Sequence, residues 1–463
     1  MTIDRSDNVR GGAVFASASL IAALFLNPTP ARGRLAATGT PETSVAAATR
    51  TPPSADEAPP PSMQPEPPAL DDSIEGAEAE EPNPPPARRF VNWNQYEGPY
   101  FTFRFGAHAM YDVGAYQQDK ESQQQVGAVE DSGKWRDFRL IASGRFPKIK
   151  REVLWKAGYM YDGINGKWLW RETGFIIAVP EIWGHVFIGR TKEGFSLMKH
   201  MSGAAMWGLE RTEMLDATIP IMADGIRWMG YLPKQRLVWN FGVFNETIWN
   251  RPLYPFYDQE YVLRTAWLPY LSEKGGTLLH VGLNLRYGNP TDGKTQLKSK
   301  PESTTAPNFI DTGVFKADHT EMIGPELYYR NGPLLLGGEY YFMKTRSEAG
   351  DHSFHGGNVD VTWTITGEAR GYKTRGGTFD FLYPRQSVFE GGWGAWEASL
   401  NFSYIDADSG NIRGGRFWRV SPNLAWYLAY NLRWTIGYGY GVLDRFDKKG
   451  STQFYQSRLH FMF

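Results

Sequence analysis

Basic side chains recur in this chain between apolar or aromatic neighbours. Examples are Phe103-Arg104-Phe105, Phe138-Arg139-Leu140, Trp155-Lys156-Ala157, Leu285-Arg286-Tyr287, Leu432-Arg433-Trp434 and Ser457-Arg458-Leu459. A guanidinium offers a planar fork that grips phosphate or carboxylate through two parallel bonds, and an ammonium acts as a compact point charge. A ladder of such groups binds an oxyanion reversibly, because several modest sites release what one tight site would hold. A second basic set is spread over a shorter stretch: Arg190, Lys192, Lys199 and Arg211. Lys294, Lys298, Lys300 and Lys316 form a third group. Glu193, Glu210 and Glu339 stand ready to neutralise neighbouring cations, so each basic residue has a purely structural alternative as half of an ion pair.

Other chemistries find less support. Cysteine is absent, which excludes disulfide frameworks, thiolate metal sites and cysteine nucleophiles. His352 and His355 have a spacing that metal ligands can share, but they read as part of a Gly-flanked loop, and no metal is expected. No Gly-x-Ser-x-Gly elbow stands where a strand gives way to a helix, and no Gly-x-x-x-x-Gly-Lys-Ser/Thr phosphate loop is present. No catalytic residue, cofactor or nucleic-acid partner is expected.

The elements that position these cations follow a period of two. Leu279, Val281, Leu283, Leu285 and Tyr287 alternate with His280, Gly282, Asn284 and Arg286; Trp434, Ile436, Tyr438, Tyr440 and Val442 alternate with Arg433, Thr435, Gly437, Gly439 and Gly441. Residues 396–404 and 361–366 repeat the pattern. Successive strand side chains point to opposite sides, so each segment has one apolar and one polar face. A soluble sandwich would bury the apolar face, whereas a transmembrane barrel turns it to lipid and lines water with the polar one. Segment lengths of about ten residues, the span of a tilted membrane strand, favour the barrel. So do aromatics at the segment ends, in a chain with 17 Trp, 24 Tyr and 27 Phe.

The expected fold is all-β: a transmembrane antiparallel barrel of about 16 strands. The segments fall near 100–110, 134–145, 152–162, 168–179, 182–190, 226–232, 236–246, 258–268, 276–288, 320–331, 332–344, 357–370, 392–405, 415–430, 432–443 and 451–463. With the first strand running outward, the long connections 111–133, 191–225, 289–319 and 345–356 all lie outside. Connection 371–391 breaks the rule, which implies either a miscounted strand or a large inner loop. The chain ends on an alternating strand whose last residue is Phe463, a mark that outer-membrane assembly machinery reads.

Residues 1–31 read as a secretory leader: Arg5 and Arg10, a short apolar core from Ala13 to Leu26, then small residues near Ala31. Residues 32–89 are rich in Pro and acidic side chains and should form an extended, disordered spacer, leaving 90–463 as the barrel. Residues 1–89 hold 12 acidic and 7 basic side chains, so the near-neutral total of −1 conceals a barrel segment with 38 acidic and 42 basic groups.

Several stretches together resemble the phosphate-selective porin O and P family. They are Gly324-Pro325-Glu326-Leu327-Tyr328-Tyr329-Arg330-Asn331-Gly332-Pro333 with Gly338-Glu339-Tyr340-Tyr341, Trp363-Thr364-Ile365-Thr366-Gly367-Glu368-Ala369-Arg370-Gly371-Tyr372 with Gly377-Thr378-Phe379, and Gly394-Ala395-Trp396-Glu397-Ala398-Ser399. The resemblance covers most of residues 90–463. It implies a sixteen-stranded outer-membrane barrel, a homotrimer, and passage of phosphate-type anions. It also implies that the third long loop, 191–225, folds inward as a constriction, with Gly189, Lys192 and Phe195 at its start and Glu210-Arg211 further on. On this reading the anion contacts are Arg190, Lys192, Lys199 and Arg211 on the loop, and Arg104, Arg139, Lys156, Arg286, Arg433 and Arg458 on the wall. The partners are outer-membrane lipid and small anions such as phosphate, in the bacterial outer membrane. A general or sugar-preferring porin, an outer-membrane hydrolase and a structural anchor remain alternatives.

Overall fold

The computed structural model describes residues 89–245, 257–272 and 276–463. The expected leader and all of the Pro-rich spacer except Arg89 lie outside these residues. Sixteen long strands form the body: β1 Thr102–Gln118, β2 Ser132–Arg145, β3 Val153–Asp162, β4 Lys167–Val179, β5 Gly184–Thr191, β6 Ala223–Leu232, β7 Leu237–Asn245 and β8 Tyr257–Leu271. The second half comprises β9 Thr277–Pro290, β10 His319–Asn331, β11 Leu334–Arg346, β12 His352–Thr364, β13 Ala395–Ser409, β14 Ile412–Ala429, β15 Leu432–Arg445 and β16 Lys448–Met462. Each pairs antiparallel with the next. β16 then pairs with β1, from Thr452 opposite Gln118 to Met462 opposite His108, and the sheet closes on itself. Closure leaves no long edge for another chain to pair with.

The two faces sort as a barrel requires. Along β9, Val281, Leu283, Leu285 and Tyr287 are exposed, while His280, Asn284 and Arg286 are buried. Along β12, Val359, Val361 and Trp363 point outward (Trp363 53% exposed) and Asn358, Asp360, Thr362 and Thr364 inward. A sandwich core would reverse this. An apolar band of this extent is stable against hydrocarbon and would associate in water. Trp155, Trp228, Trp239, Trp267, Trp363, Trp396, Trp426 and Trp434 all lie towards the end of the barrel where the short turns are, as a membrane-interface girdle does.

All sixteen expected strands are present, and most are longer than expected at one or both ends. Two connections shrink as a result. β1 continues to Gln118, so the first connection is only 119–131 and carries helix α1, Lys120–Val126. β11 and β12 stay paired up to Thr345 opposite His352, which reduces the expected long loop 345–356 to residues 347–351. His352 and His355 therefore sit on a strand rather than in a loop: His355 Nδ1 is 2.7 Å from Tyr340 Oη and His352 Nδ1 is 3.1 Å from the Ser409 carbonyl. The connection that broke the alternation is real. With sixteen strands confirmed, residues 365–394 form a long segment at the short-turn end.

Candidate functional site

Three long connections bond to inward-facing side chains. The third connection at the long-loop end, 192–222, carries the short helices α2 (Leu197–His200) and α3 (Glu213–Thr218). Ser196 Oγ donates to Glu339 on β11 at 2.6 Å, and the Ser196 amide donates to Asn284 on β9 at 2.7 Å. Ser399 on β13 donates to the Trp207 carbonyl at 3.3 Å, and Arg433 on β15 to the Met206 carbonyl at 2.9 Å. Arg136 on β2 donates to Glu210 at 2.9 Å through Nε and again through Nη2. The partners thus span strands from β9 round to β2.

The connection 291–318 is tied to the same face. Tyr116 Oη on β1 lies 2.7 Å from Ser303 Oγ, Gln456 on β16 donates to the Glu302 carbonyl at 3.0 Å, and Phe309 packs edge-on against Phe417. From the opposite end, segment 365–394 contributes a small hairpin pairing Tyr372–Lys373 with Thr378–Phe379. Arg264 on β8 donates to the Gly377 carbonyl at 2.7 Å, and Tyr372 Oη is 2.7 Å from His280 Nδ1 on β9. Gly377 has a φ of +63°, and an added Cβ would lie 2.9 Å from that of Ala266, so this close seat excludes a side chain. The two ends meet where Arg370 Nη1 donates to the Ala205 carbonyl at 2.6 Å and Phe379 packs edge-on to Trp207.

The basic residues singled out from the sequence divide into two groups. Four are matched by carboxylates. Arg190 donates to Asp224 at 2.9 Å through Nε and 2.5 Å through Nη2, and Arg139 to Asp137 at 2.6 Å. Arg286 donates to Glu193 at 2.8 Å and also to Glu260, with its guanidinium stacked 4.2 Å from the Tyr257 ring centre. Arg458 donates to both oxygens of Asp112, at 2.6 and 2.7 Å, and also to Glu210 and the Leu209 carbonyl. Arg433 anchors Met206 and faces Tyr427. Arg286, Arg433 and Arg458 thus fasten the third loop to the wall.

The other cations of the loop meet backbone carbonyls. Lys192 donates to the Met201 carbonyl at 2.9 Å. Lys199 donates to the Leu215 carbonyl at 3.2 Å, with Asp216 at 3.8 Å. Arg211 donates to the Met198 and Met201 carbonyls at 2.9 and 3.1 Å. Backbone carbonyls hold all three, and Lys199 also has the carboxylate of Asp216 within ion-pair distance. Burial, with Arg211 and Lys192 nearby, lowers Lys199 to about 8 against the pull of Asp216 and Glu193. Burial and the charges of Arg136, Arg139 and Arg171 lower Arg211 to about 10, Glu210 opposing. Burial alone would raise Glu210, but Arg136 and Arg458 outweigh it and hold the carboxyl at about 2. Arg104 and Lys156 stand opposite the same Ser143, in adjoining ladders and on one face of β1, β2 and β3.

Arg136, Arg171, Arg227 and Arg375 escaped the sequence reading. Arg227 on β6 donates to the Lys192 carbonyl at 2.9 Å, and its inward place was legible from Ile226 and Trp228 on either side. Arg171 follows the outward Trp170 in the same way. Arg136 has no such signature. Asp137 faces Met110 and Trp135 faces Tyr111, so Arg136 is the extra residue of a bulge, which re-aims its side chain to bond Asp137 and Glu210. Arg375 lies in a turn, where periodicity says nothing. In the loop 291–318, Lys294, Lys298 and Lys316 are exposed, but Lys300 donates to the Thr304 and Ala306 carbonyls of its own loop at 2.9 and 2.7 Å.

The model of one protein family, phosphate-selective porin O and P, matches residues 103–463. The chain belongs to that family. The match takes in every strand of the closed barrel, and the barrel is that of an outer-membrane porin. A curated relative, an uncharacterized protein of Caulobacter vibrioides, is 26% identical over 175 residues, 37% of this chain; the chain spans only 35% of that relative's length. Among solved structures, a loop L8 deletion mutant of OmpT, an outer membrane protein of Vibrio cholerae, is similar at 12% identity and a TM-score of 0.50, covering 78% of this chain and 100% of that one. An anion-selective porin from Comamonas acidovorans is similar at 12% identity and a TM-score of 0.49, with the same coverage.

Proposed function

We propose that this porin gives passive, anion-selective diffusion of phosphate-type solutes through a water-filled bore, with no covalent step. The third loop narrows the bore, and the anion passes between it and the wall of β2, β4 and β6. One observation carries the reading: Lys192, Lys199 and Arg211 bond backbone carbonyls within the loop, Arg227 bonds the same loop from the wall, and the guanidinium groups of Arg139 and Arg171, each paired with a carboxylate, add to the basic character around Arg211. An added Cβ on Gly203 would lie 3.5 Å from Arg139 Nη2 and 4.0 Å from Arg211 Nη2, so both guanidinium groups lie beside one residue. Cations in a cleft with low-dielectric walls concentrate anions and strengthen the local field. The surplus of basic groups in the barrel segment supports the same sign. The family resemblance supports a homotrimer, the composition of residues 1–31 an export leader, that of residues 32–89 a spacer, and Phe463 the signal for barrel assembly.

A second reading, a general or sugar-preferring porin, draws on the cancelled charges at Arg190–Asp224, Arg139–Asp137, Arg286–Glu193 and Arg458–Asp112. Planar-bilayer recording decides between them. Anion preference with a current blocked by millimolar phosphate is expected, and a cation preference overturns the proposal. No conductance at all would favour the hydrolase or anchor alternatives. Replacing Lys192 and Arg211 by Ala should weaken phosphate block by about tenfold or more, the loss of roughly one charge-assisted contact. Unchanged block would remove the third loop from the path.

A further inference from the structure

At the short-turn end of the barrel lies a cavity of 890 Å³, lined by residues of the inward faces of β5, β6 and β7, by His200 of the third loop, and by Arg375 and Gly376 of the hairpin from segment 365–394. Its volume suits a small organic molecule and far exceeds a bare oxyanion. Its lining is of two kinds. Arg227, His200 and Arg375 contribute cationic or imidazole groups, whereas Met229, Tyr231, Leu232 and Pro233 supply apolar surface. Arg151 and Glu181 pair at 2.7 Å on the rim, and Glu152 adds a carboxylate there. Inorganic phosphate gains nothing from an apolar wall, since its charge is best met by donors and water on every side. A molecule with a charged head and an apolar body satisfies both halves at once.

We infer that this cavity is a binding station for organic oxyanions, in which an aryl or alkyl body packs on Met229, Tyr231 and Leu232 while a phosphate or carboxylate head faces Arg227, His200 and Arg375. The inference rests on the porin reading and narrows its solute class. The cavity adjoins the third loop through His200, so a solute held here is next to the narrowest part of the path. The hairpin that bears Arg375 is fixed by the Arg264–Gly377 and His280–Tyr372 bonds, which makes the head-group side of the station rigid.

The test compares phenyl phosphate with inorganic phosphate on the full barrel. In bilayers, phenyl phosphate should block at about fivefold lower concentration, the gain from partial burial of one ring. Met229→Gln, similar in length but polar, should erase that advantage and leave the block by inorganic phosphate unchanged. Calorimetric titration of the detergent-folded protein should show the same order of affinities, independently of conductance. Equal potency of the two anions in both measurements, or an advantage that survives Met229→Gln, overturns the inference while leaving an anion porin in place. A barrel that binds phenyl phosphate but passes no current instead overturns the porin reading and keeps the station.

Discussion

At the scale of single residues, what separates a structural cation from a functional one is the atom that holds it. Arg286 and Arg458 grip carboxylates directly; Arg211 bonds carbonyls, and Lys199 bonds a carbonyl with Asp216 at a longer 3.8 Å. This distinction was invisible in the sequence, because Glu193, Glu210 and Asp112 reach their partners from distant parts of the chain. Lys199 supplies a pH signature. Its folded value of about 8 lies below the ordinary lysine value of 10.5, and Lys300 is lowered to about 8 by burial and the nearby Lys134. Both are charged below that pH and lose charge above it. Anion preference, read from reversal potentials across a salt gradient, should therefore fall as pH rises from 7 to 9, and the Lys199→Met/Lys300→Met variant should show a much flatter profile. The folded state also binds fewer protons than the unfolded chain between about pH 8 and 10.5, so these two groups make stability rise with pH across that window.

At the scale of elements, strands were legible and the loops between them were not. A strand repeats its signal every two residues, and a barrel strand must keep one face apolar throughout, so all sixteen could be located. A loop that packs against the bore carries no such period. The connection expected at 371–391 stood out by its length and by the family-like Gly377-Thr378-Phe379, but nothing in its composition showed that Tyr372 and Gly377 would seat on His280 and Arg264. The connection 291–318 looked like a solvated lysine loop, yet Leu297, Phe309 and Ile310 within it are fully buried. Where that loop lies against the third, Glu213 on α3 and Glu302 are both buried, and neither oxygen of Glu213 nor Oε1 of Glu302 has a hydrogen-bond partner among the described residues. Burial raises both carboxyls against the pull of Arg419, with the charge of Glu302 adding to the shift of Glu213 and that of Asp360 to the shift of Glu302. The folded state therefore holds protons that the unfolded chain releases above about pH 4.5, and stability falls as pH rises from there towards the raised values. Glu213→Gln keeps the shape and removes the charge. It should raise the thermal midpoint of the detergent-folded barrel at pH 8, by an increment that shrinks towards pH 4; a midpoint lowered at both pH values would refute the account.

At the scale of the whole molecule, the closed sheet separates two solvents. The outward face carries Leu283, near the middle of β9, and an arginine there should destabilise the barrel by about 2–4 kcal/mol, as cations at mid-membrane do. Chemical unfolding in lipid would measure it, with Lys298→Glu in the exposed loop as a comparison expected to stay within about 0.5 kcal/mol. Fold class was readable from sequence because this partition between lipid and water governs every strand at once. The path through the molecule was not readable, since it depends on which half of the bore the connections fill.

The join between the first and last strands has an implication for how the barrel is made. Arg458 on β16 clasps Asp112 of β1 and, with the same guanidinium, Glu210 of the third loop, which Arg136 of β2 also grips. One guanidinium thus joins the seam of the cylinder to the third connection. A cylinder that shut with Glu210 elsewhere would keep the Arg458–Asp112 clasp but deprive Arg458 and Arg136 of the carboxylate they share, so closing the seam and seating this connection favour each other.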